Sequence, residues 1–389
     1  MKLTPRRERS LAIGACLSLV IGLSVGNLGN NLMPVILGGF SHRFDLSPTT
    51  AGLVATSQLL ATAIVSLGIA GRAATSSRVR MARFGLIAAA LGFAGAYLSG
   101  SVAILLLTNV VAGAGIGAVY AAASAALSAT EDAQRSTTTT IFFSTVLLAA
   151  LIVLIPLADG AGTGTVGFAV MAALCVVGVW PVRWLPELHE RHRGQARPRV
   201  AYTFVAAVVL FSVTEQGAWS YAQLIGEQQT SMTSEEVAGA LGLASTLSLV
   251  GVPLGGLILK WLGSRIALAV ALSVDAAIKL VVATTPSSAL FSLGTTMWQV
   301  SYLALLVILL GVAASSDRSG RWVAVTVGAT TLGTALGPIA VGPIFEYIGG
   351  LGLGLFLLVA TLLALCAIQC TLPRKPIEVD STPVPVNSP

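Results

Sequence analysis

The chain has 389 residues, 55% of them hydrophobic and 10% charged, and its mean hydropathy is +0.87. Soluble domains carry about 25% charged residues, so these proportions exclude a water-soluble fold. They also remove the nucleic-acid partner that a net charge of +6 would otherwise suggest. The positive excess reads instead as a topology signal and an attraction to anionic lipid headgroups.

A bilayer crossing takes about 20 apolar residues, and the chain reads as twelve such runs in succession. The first is 11–40. The basic start before it, MKLTPRRERS, imitates a secretory leader, but the apolar stretch runs well past leader length, so an uncleaved first helix is expected. Gly22, Gly26, Gly29 and Pro34 make this helix easy to bend, and Asn27, Asn30 and Asn31 share one broad face. Amides at membrane depth take partners from a water-filled cavity or from a neighbouring helix; cavity lining is the preferred reading. Runs 48–70, 82–98, 101–128, 138–157 and 166–184 follow. The fourth holds Asn109 and Tyr120, and the fifth Phe142 and Phe143, one or other of which is a candidate cavity aromatic.

The segment 185–199, LPELHERHRGQARPR, is the long charged interruption at the centre of the chain. Beyond it come runs 200–224, 237–259, 266–282, 288–314, 322–344 and 352–372. The seventh run holds Glu215, Gln216 and Trp219, the ninth Asp275 and Lys279, and the tenth Trp298, Gln299 and Tyr302. The eleventh is rich in Gly (Gly328, Gly333, Gly337, Gly342) with Pro338 and Pro343, a pattern that permits close packing and bending but specifies no substrate. The tail 373–389 is polar and Pro-rich, and disorder is expected there.

All but two of the 22 Lys and Arg residues fall in the termini and in connections that lie on one side if every run crosses. Basic short loops resist translocation, so both termini and the central segment are expected in the cytoplasm of a cell whose plasma membrane, bacterial by expectation, holds the chain. The exceptions are Arg43, in an outer connection, and Lys279, within an apolar run. The four cysteines lie in apolar runs without metal-ligand spacing, and core packing is expected of them.

The halves look duplicated. SPTTAG precedes the second run (Ser47–Gly52) and SEEVAG the eighth (Ser234–Gly239), with Thr233 and Glu236 at capping-box spacing. Gly68 is followed by Arg72, and Gly256 by Lys260, at the basic ends of the same two runs. The expected fold is therefore an all-α membrane protein of twelve transmembrane helices in two pseudo-symmetric six-helix bundles. Its divisions are 1–184, a linker at 185–199, 200–372 and the tail 373–389.

With this loop order and these motifs the chain resembles the major facilitator superfamily over roughly 8–373. The family's Gly-x3-Asp motif after the second helix is altered here: Arg72 and Lys260 stand where the Asp is expected, with Arg78, Arg80, Arg83 and Arg265 as the basic remainder. Asp132 with Arg135, and Asp317 with Arg321, match the loops after helices 4 and 10. The resemblance implies that these residues form a cytoplasmic gate, weakened by the missing Asp. It also implies that helices 1, 4, 7 and 10 line the cavity and that helices 3, 6, 9 and 12 lie outside it. The Arg-x2-Gln-Gly signature of proton-driven antiporters has Asn109 and Ala112 in its place, and the Gly-Pro pattern of drug antiporters is missing from helix 5.

Ionisable residues inside a membrane are costly and mark function. Asp275 and Lys279, spaced i, i+4, share a face as an expected ion pair; structural pairing or snorkelling to the interface is the preferred reading, and a role in transport the alternative. Glu215 has no cation one turn away on its own helix (Phe211, Ser212, Ala218 and Trp219 stand there), which suits a proton carrier; the bland reading places it in solvent at the outer interface. Proton coupling is expected through Glu215, with Asp275 as second carrier. The cavity residues are Asn27, Asn30, Asn31, Asn109, Tyr120, Gln216, Trp219, Trp298, Gln299 and Tyr302. No membrane-embedded Arg clamps an anion, so the substrate expected is a neutral or weakly cationic, partly apolar small molecule, exported or, alternatively, taken up as a nutrient by proton symport.

An enzyme is not expected: His42, His189 and His192 lie in connections on opposite sides, and no catalytic cluster forms. A receptor would need a sizeable soluble domain. No Walker motif occurs, and neither cofactor nor metal is expected. The partners are the substrate, protons and the bilayer, with the chain monomeric.

Overall fold

The computed structural model describes residues 5–75, 77–127, 130, 133–159, 164–187, 202–316 and 321–371. The described residues are helical throughout, with no strand: α1 (Pro5–Gly26), α2 (Leu28–Phe44), α3 (Pro48–Thr75), α4 (Arg78–Leu98), α5 (Val102–Leu127), α6 (Ala133–Ala158), α7 (Val166–Gly178), α8 (Tyr202–Gln229), α9 (Ser234–Leu247), α10 (Gly251–Thr284), α11 (Ser288–Ser316) and α12 (Arg321–Thr371).

Length decides how these elements cross a bilayer. Seven helices, with α9 and α10 taken together, are long and apolar enough, and the pair α1–α2, bent by 45°, makes one further span. At 1.5 Å per residue the 51 residues of α12 would reach about 76 Å, more than twice a hydrocarbon core of about 30 Å. The chain turns back at Gly349 (φ 75°), and likewise at Gly263 (φ 69°) within α10. Only glycine adopts that backbone without strain. Dividing both long elements there, and adding α7 with its 3-10 extension Pro181–Trp184 and the more polar α8, yields the twelve passes expected. One boundary differs from expectation: the first run is not one helix but breaks at Asn27 (φ −104°, ψ 4°).

Large apolar side chains point outward all round the molecule, among them Phe84, Leu98, Trp261 and Leu363. That is the pattern of a lipid-facing surface, because hydrocarbon accepts what water expels. Cys366 and Cys370 are exposed on it, against the expectation of core packing; they sit on the outward stripe of the last pass, whereas Cys175 is buried. Phe142 and Phe143 also face outward, stacked edge to face, and do not line a cavity.

One end of the bundle is basic. There the buried Arg78 donates from Nε to Ala73 O (2.8 Å) and from Nη1 to Pro186 O (3.0 Å), tying the turn after α3 to the end of the sixth pass. Arg183 stacks over Trp180 and Trp184 at 3.8 and 4.3 Å. Arg43 lies at the far end and has a specific task. Its guanidinium donates to Ala96 O, Tyr97 O and Ser99 O, and so covers carbonyls at the C-terminal end of α4. Arg43→Gln is expected to lower stability by about 1 kcal/mol, since the site is half-exposed; a thermal unfolding curve in detergent measures it.

The capping box at α9 forms as its spacing predicts: Glu236 N donates to Thr233 Oγ1 (3.3 Å) and Thr233 N to Glu236 Oε2 (2.8 Å). Its counterpart Ser47 accepts from Thr50 N at the start of α3 (3.3 Å).

Candidate functional site

Between the two sets of passes lies a cavity with three lobes of about 110, 190 and 240 Å³ that share Asn27 and Tyr302. Its position follows from the break in the first pass. A Cβ at Gly26 would fall 3.0 Å from Tyr120 Cα, so α1 closes directly on α5 there and the chain swings away beyond it. Asn27 and Asn31 then donate from Nδ2 to Leu23 O (2.9 Å) and Asn27 O (3.1 Å), covering the carbonyls around the break.

The smallest lobe is the most polar. It is lined by Asn27, Asn30 and Asn31, by Ser212, Glu215, Gln216 and Trp219 of α8, by Gln299 and Tyr302 of α11, and by Thr334 of α12. A second lobe extends between α3, α5, α11 and α12, with Thr62, Ser66, Tyr120, Thr330 and Thr331. The third is more apolar, with Leu23, Ile141, Leu148, Leu303 and Leu306 beside Ser144 and Ser245. Eight of the ten residues expected at a cavity are thus at its wall. Asn109 is not: it is buried and donates to Leu105 O of its own helix (2.8 Å), turned from the cavity. Trp298 stands one layer behind, edge-on to Trp219 at 6.0 Å.

Glu215 corrects an expectation. It is not unpaired. Lys279, reaching inward from α10, holds Glu215 Oε1 in an ion pair, and Trp298 Nε1 donates to Glu215 Oε2 at 2.8 Å. The sequence shows no cation within a turn of Glu215 because the partner lies 64 residues away on another helix. Lys279 also donates to Thr214 Oγ1 (3.1 Å) and lies 2.8 Å from Asp275 Oδ2, one turn back on its own helix. That last contact is an ion pair in distance but not a directed hydrogen bond, and both Asp275 oxygens lack a hydrogen-bond partner. Asp275 and Lys279 have no exposed side-chain surface, and Glu215 keeps 6%. Lys279 therefore does not snorkel to an interface. Its backbone belongs to an outer helix, as the resemblance implies, and only its long side chain reaches the centre.

Glycines set the close approach of α8 and α12 beside this cluster. A Cβ at Gly333 would meet Ser212 Cβ at 2.6 Å, and one at Gly337 would lie 2.5 Å from Gly217 N.

Toward the far end the two sets of passes are joined. Gln216 Nε2 donates to Asn30 O (3.1 Å), Trp219 Nε1 to Asn31 O (3.3 Å), Tyr221 Oη to Pro48 O (2.6 Å), and Thr49 N to Glu346 Oε2 (2.9 Å). Glu346 places its carboxylate on the N-terminus of α3, where helix amides attract anions. Ile339 N donates to Thr56 Oγ1 (3.0 Å), and His42 pairs with Glu227 (3.1 Å). Sequence reasoning missed Glu346 and Tyr221, whose partners are backbone atoms that no side-chain pattern announces.

Of the expected gate residues, Arg72 and Lys260 are exposed at the basic end, and Arg80 donates to Ser77 Oγ (2.8 Å). Arg265 Nη2 donates to Gln369 O (3.3 Å). Asp132 and Asp317 lie outside the described residues, as do the side chains of Arg135 and Arg321.

The sequence matches the Major Facilitator Superfamily over residues 15–316. The chain belongs to this family of transporters. No curated protein matches it. Among solved structures, a bacterial homologue of the human lysosomal transporter Spinster, inward-facing and occupied, superposes with a TM-score of 0.72 at 15% identity, covering 94% of this chain and 97% of that one. The nucleoside transporter NupG superposes with a TM-score of 0.68 at 14% identity, covering 92% and 100%. The fucose:proton symporter FucP of E. coli superposes with a TM-score of 0.57 at 16% identity, covering 93% and 98%. At these identities the likeness establishes the fold, and this protein is a multi-pass member of the superfamily that moves small molecules.

Proposed function

We propose that this transporter is a secondary active, proton-coupled carrier that alternates access by rocking its two six-helix halves, 1–184 and 200–372, about the central cavity. The observation that carries the reading is Glu215: a carboxylate at the wall of the cavity between the halves, bound to a fully buried ammonium. A group so placed meets solute, water and protein charge at once, and charge burial of this kind is retained where it does work. Asp275 shares the same ammonium and is the second proton-bearing group of the site.

The substrate proposed is a neutral small molecule. Five amide side chains, three hydroxyls and the one carboxylate, already paired, converge on the smallest lobe. Such a lining favours a hydrogen-bonding solute, because each buried polar group is satisfied only by a partner that can pair with it. A polar solute does not cross hydrocarbon unaided, and this favours the uptake reading. The apolar lobe at Ile141, Leu148 and Leu306 favours the other reading, export of a lipophilic compound.

Orientation follows the basic residues: the end bearing Arg72, Arg78, Arg80 and Lys260 faces the cytoplasm of a bacterial cell. With the hydrogen bonds between halves at the opposite end, the conformation is inward-facing. The test is uptake into and efflux from proteoliposomes under an imposed pH gradient, screened over neutral polar and neutral lipophilic compounds. Gradient-dependent movement confined to neutral hydrogen-bonding compounds is the expected result. Movement of lipophilic compounds alone supports the export reading, and transport indifferent to the gradient removes proton coupling.

A further inference from the structure

Lys279 contacts no solute space. It sits behind Glu215, fully buried, where an ammonium costs several kcal/mol to desolvate unless its partners compensate. It donates to Glu215 Oε1 and Thr214 Oγ1, and Asp275 Oδ2 lies 2.8 Å away as its second ion-pair partner. Among the described residues, this ammonium is the cation acting on the fully buried Asp275. Two carboxylates thus share one cation. Fully ionised, the cluster carries one negative charge; one added proton makes it neutral. Glu215 is the member at the cavity wall, where a proton can enter.

The surroundings leave the three groups to themselves. Among the described residues, the charges acting on Asp275 and Lys279 are each other and Glu215. Tyr302 of α11 faces Glu215, and beyond it stands Tyr120 of α5. Thr361 of α12 approaches through Thr214 at 3.3 Å, and Trp298 supplies a neutral donor. The α2 residues across the cavity are the neutral amides Asn30 and Asn31.

We propose that Lys279 is a tethered counter-cation that passes between Glu215 and Asp275 as the transporter takes up and releases its proton. When a proton from the cavity binds Glu215, the carboxylate becomes a neutral acid, the ammonium is freed from it, and Asp275 alone holds the ammonium. When the proton leaves, the ammonium is shared again. No bond to carbon or nitrogen forms or breaks, and the cluster alternates between one negative charge and none. This inference rests on the reading of Glu215 as the proton carrier. It adds that coupling depends on the charge count of the cluster rather than on Glu215 alone.

The test is a charge-neutralisation cycle in proteoliposomes. Lys279→Gln strands two carboxylates with no cation, and Asp275→Asn leaves an ammonium that fully neutralises Glu215. Each is expected to lower gradient-driven transport by at least about tenfold while counterflow, which needs no net proton movement, is retained. The double variant Lys279→Gln/Asp275→Asn restores the wild-type charge count and is expected to regain gradient-driven transport with a displaced pH profile. A double variant no better coupled than either single variant, with counterflow intact in all three, overturns the proposal. Intact coupling in Glu215→Gln overturns the underlying reading instead, so the two failures are distinguishable. If Lys279→Gln does not fold, Lys279→Arg decides. The carboxylic-acid infrared band that acidification raises in the wild type and not in Glu215→Gln is expected to titrate at a different pH in Lys279→Arg. An unchanged midpoint overturns the proposal.

Discussion

Glu215→Gln is expected to abolish pH-gradient-driven transport and to leave counterflow close to that of the wild type. Glutamine keeps the shape of the side chain and an oxygen to face the Trp298 indole, now 2.8 Å from Oε2, but it carries no proton and no charge. The surviving pair, Lys279 with Asp275, is neutral and fully buried, so folding is not compromised by a stranded ion. Loss of the driven component by about a hundredfold is expected, at the upper end of what coupling between two sites spans. Driven accumulation at the wild-type level in this variant would show that Glu215 is a structural partner of Lys279 and nothing more.

The second large effect is expected at Gly52, on the joint between the halves. A Cβ there would fall 2.5 Å from Pro338 O and 3.1 Å from Pro338 C, atoms of the opposite half that cannot retreat without unseating α12 from α8. Gly52→Val is therefore expected to hold the far end open and stop the cycle. The same position in the second repeat supplies the control: at Gly239 a Cβ meets nothing within 4 Å, so Gly239→Val is expected to transport normally. A cysteine placed at Thr56, buried where its hydroxyl bonds Ile339 N across the halves, reports the difference. In the Gly52→Val background a membrane-impermeant maleimide added from the far side should label it about tenfold faster, as a shift of roughly 1.4 kcal/mol in the open–closed balance requires. Equal labelling and intact transport would mean that the halves do not close through this contact.

Under the proposed orientation, with the basic end in the cytoplasm, the same joint favours an inward-facing conformation. Arg72 and Lys260 stand where the family resemblance expects an Asp after helix 2. At the opposite end Glu346 caps α3 across the halves. One acidic residue in a short outer connection looks merely solvated in the sequence; its role is visible only once the N-terminus of α3 is placed beside it.

What was legible follows from range. Apolar runs, basic connections and the capping box at Thr233–Glu236 are local features, and they located the helices, the basic end and the start of α9 without tertiary knowledge. The i, i+4 pair Asp275–Lys279 is local too, and it forms. The Glu215–Lys279 contact is not local. Nothing on α8 hints at a lysine that reaches across from an outer helix, so the absence of a near cation was read as the absence of any. Asn109 shows the opposite error: a polar residue on a cavity-lining helix still has a side that turns from the cavity, and the helix is tightly packed there. The break at Asn27 lay within reach, since Gly26 and Gly29 flank it, but its position depends on how closely Tyr120 approaches.

The most direct test of the account records substrate flux and proton flux together in proteoliposomes holding the wild-type transporter, with the compound that the screen identifies. One proton moving with each substrate molecule, and substrate accumulation collapsing when a protonophore dissipates the gradient, is the result predicted for a cluster that alternates between a single negative charge and neutrality. Undiminished accumulation in the presence of the protonophore would contradict it.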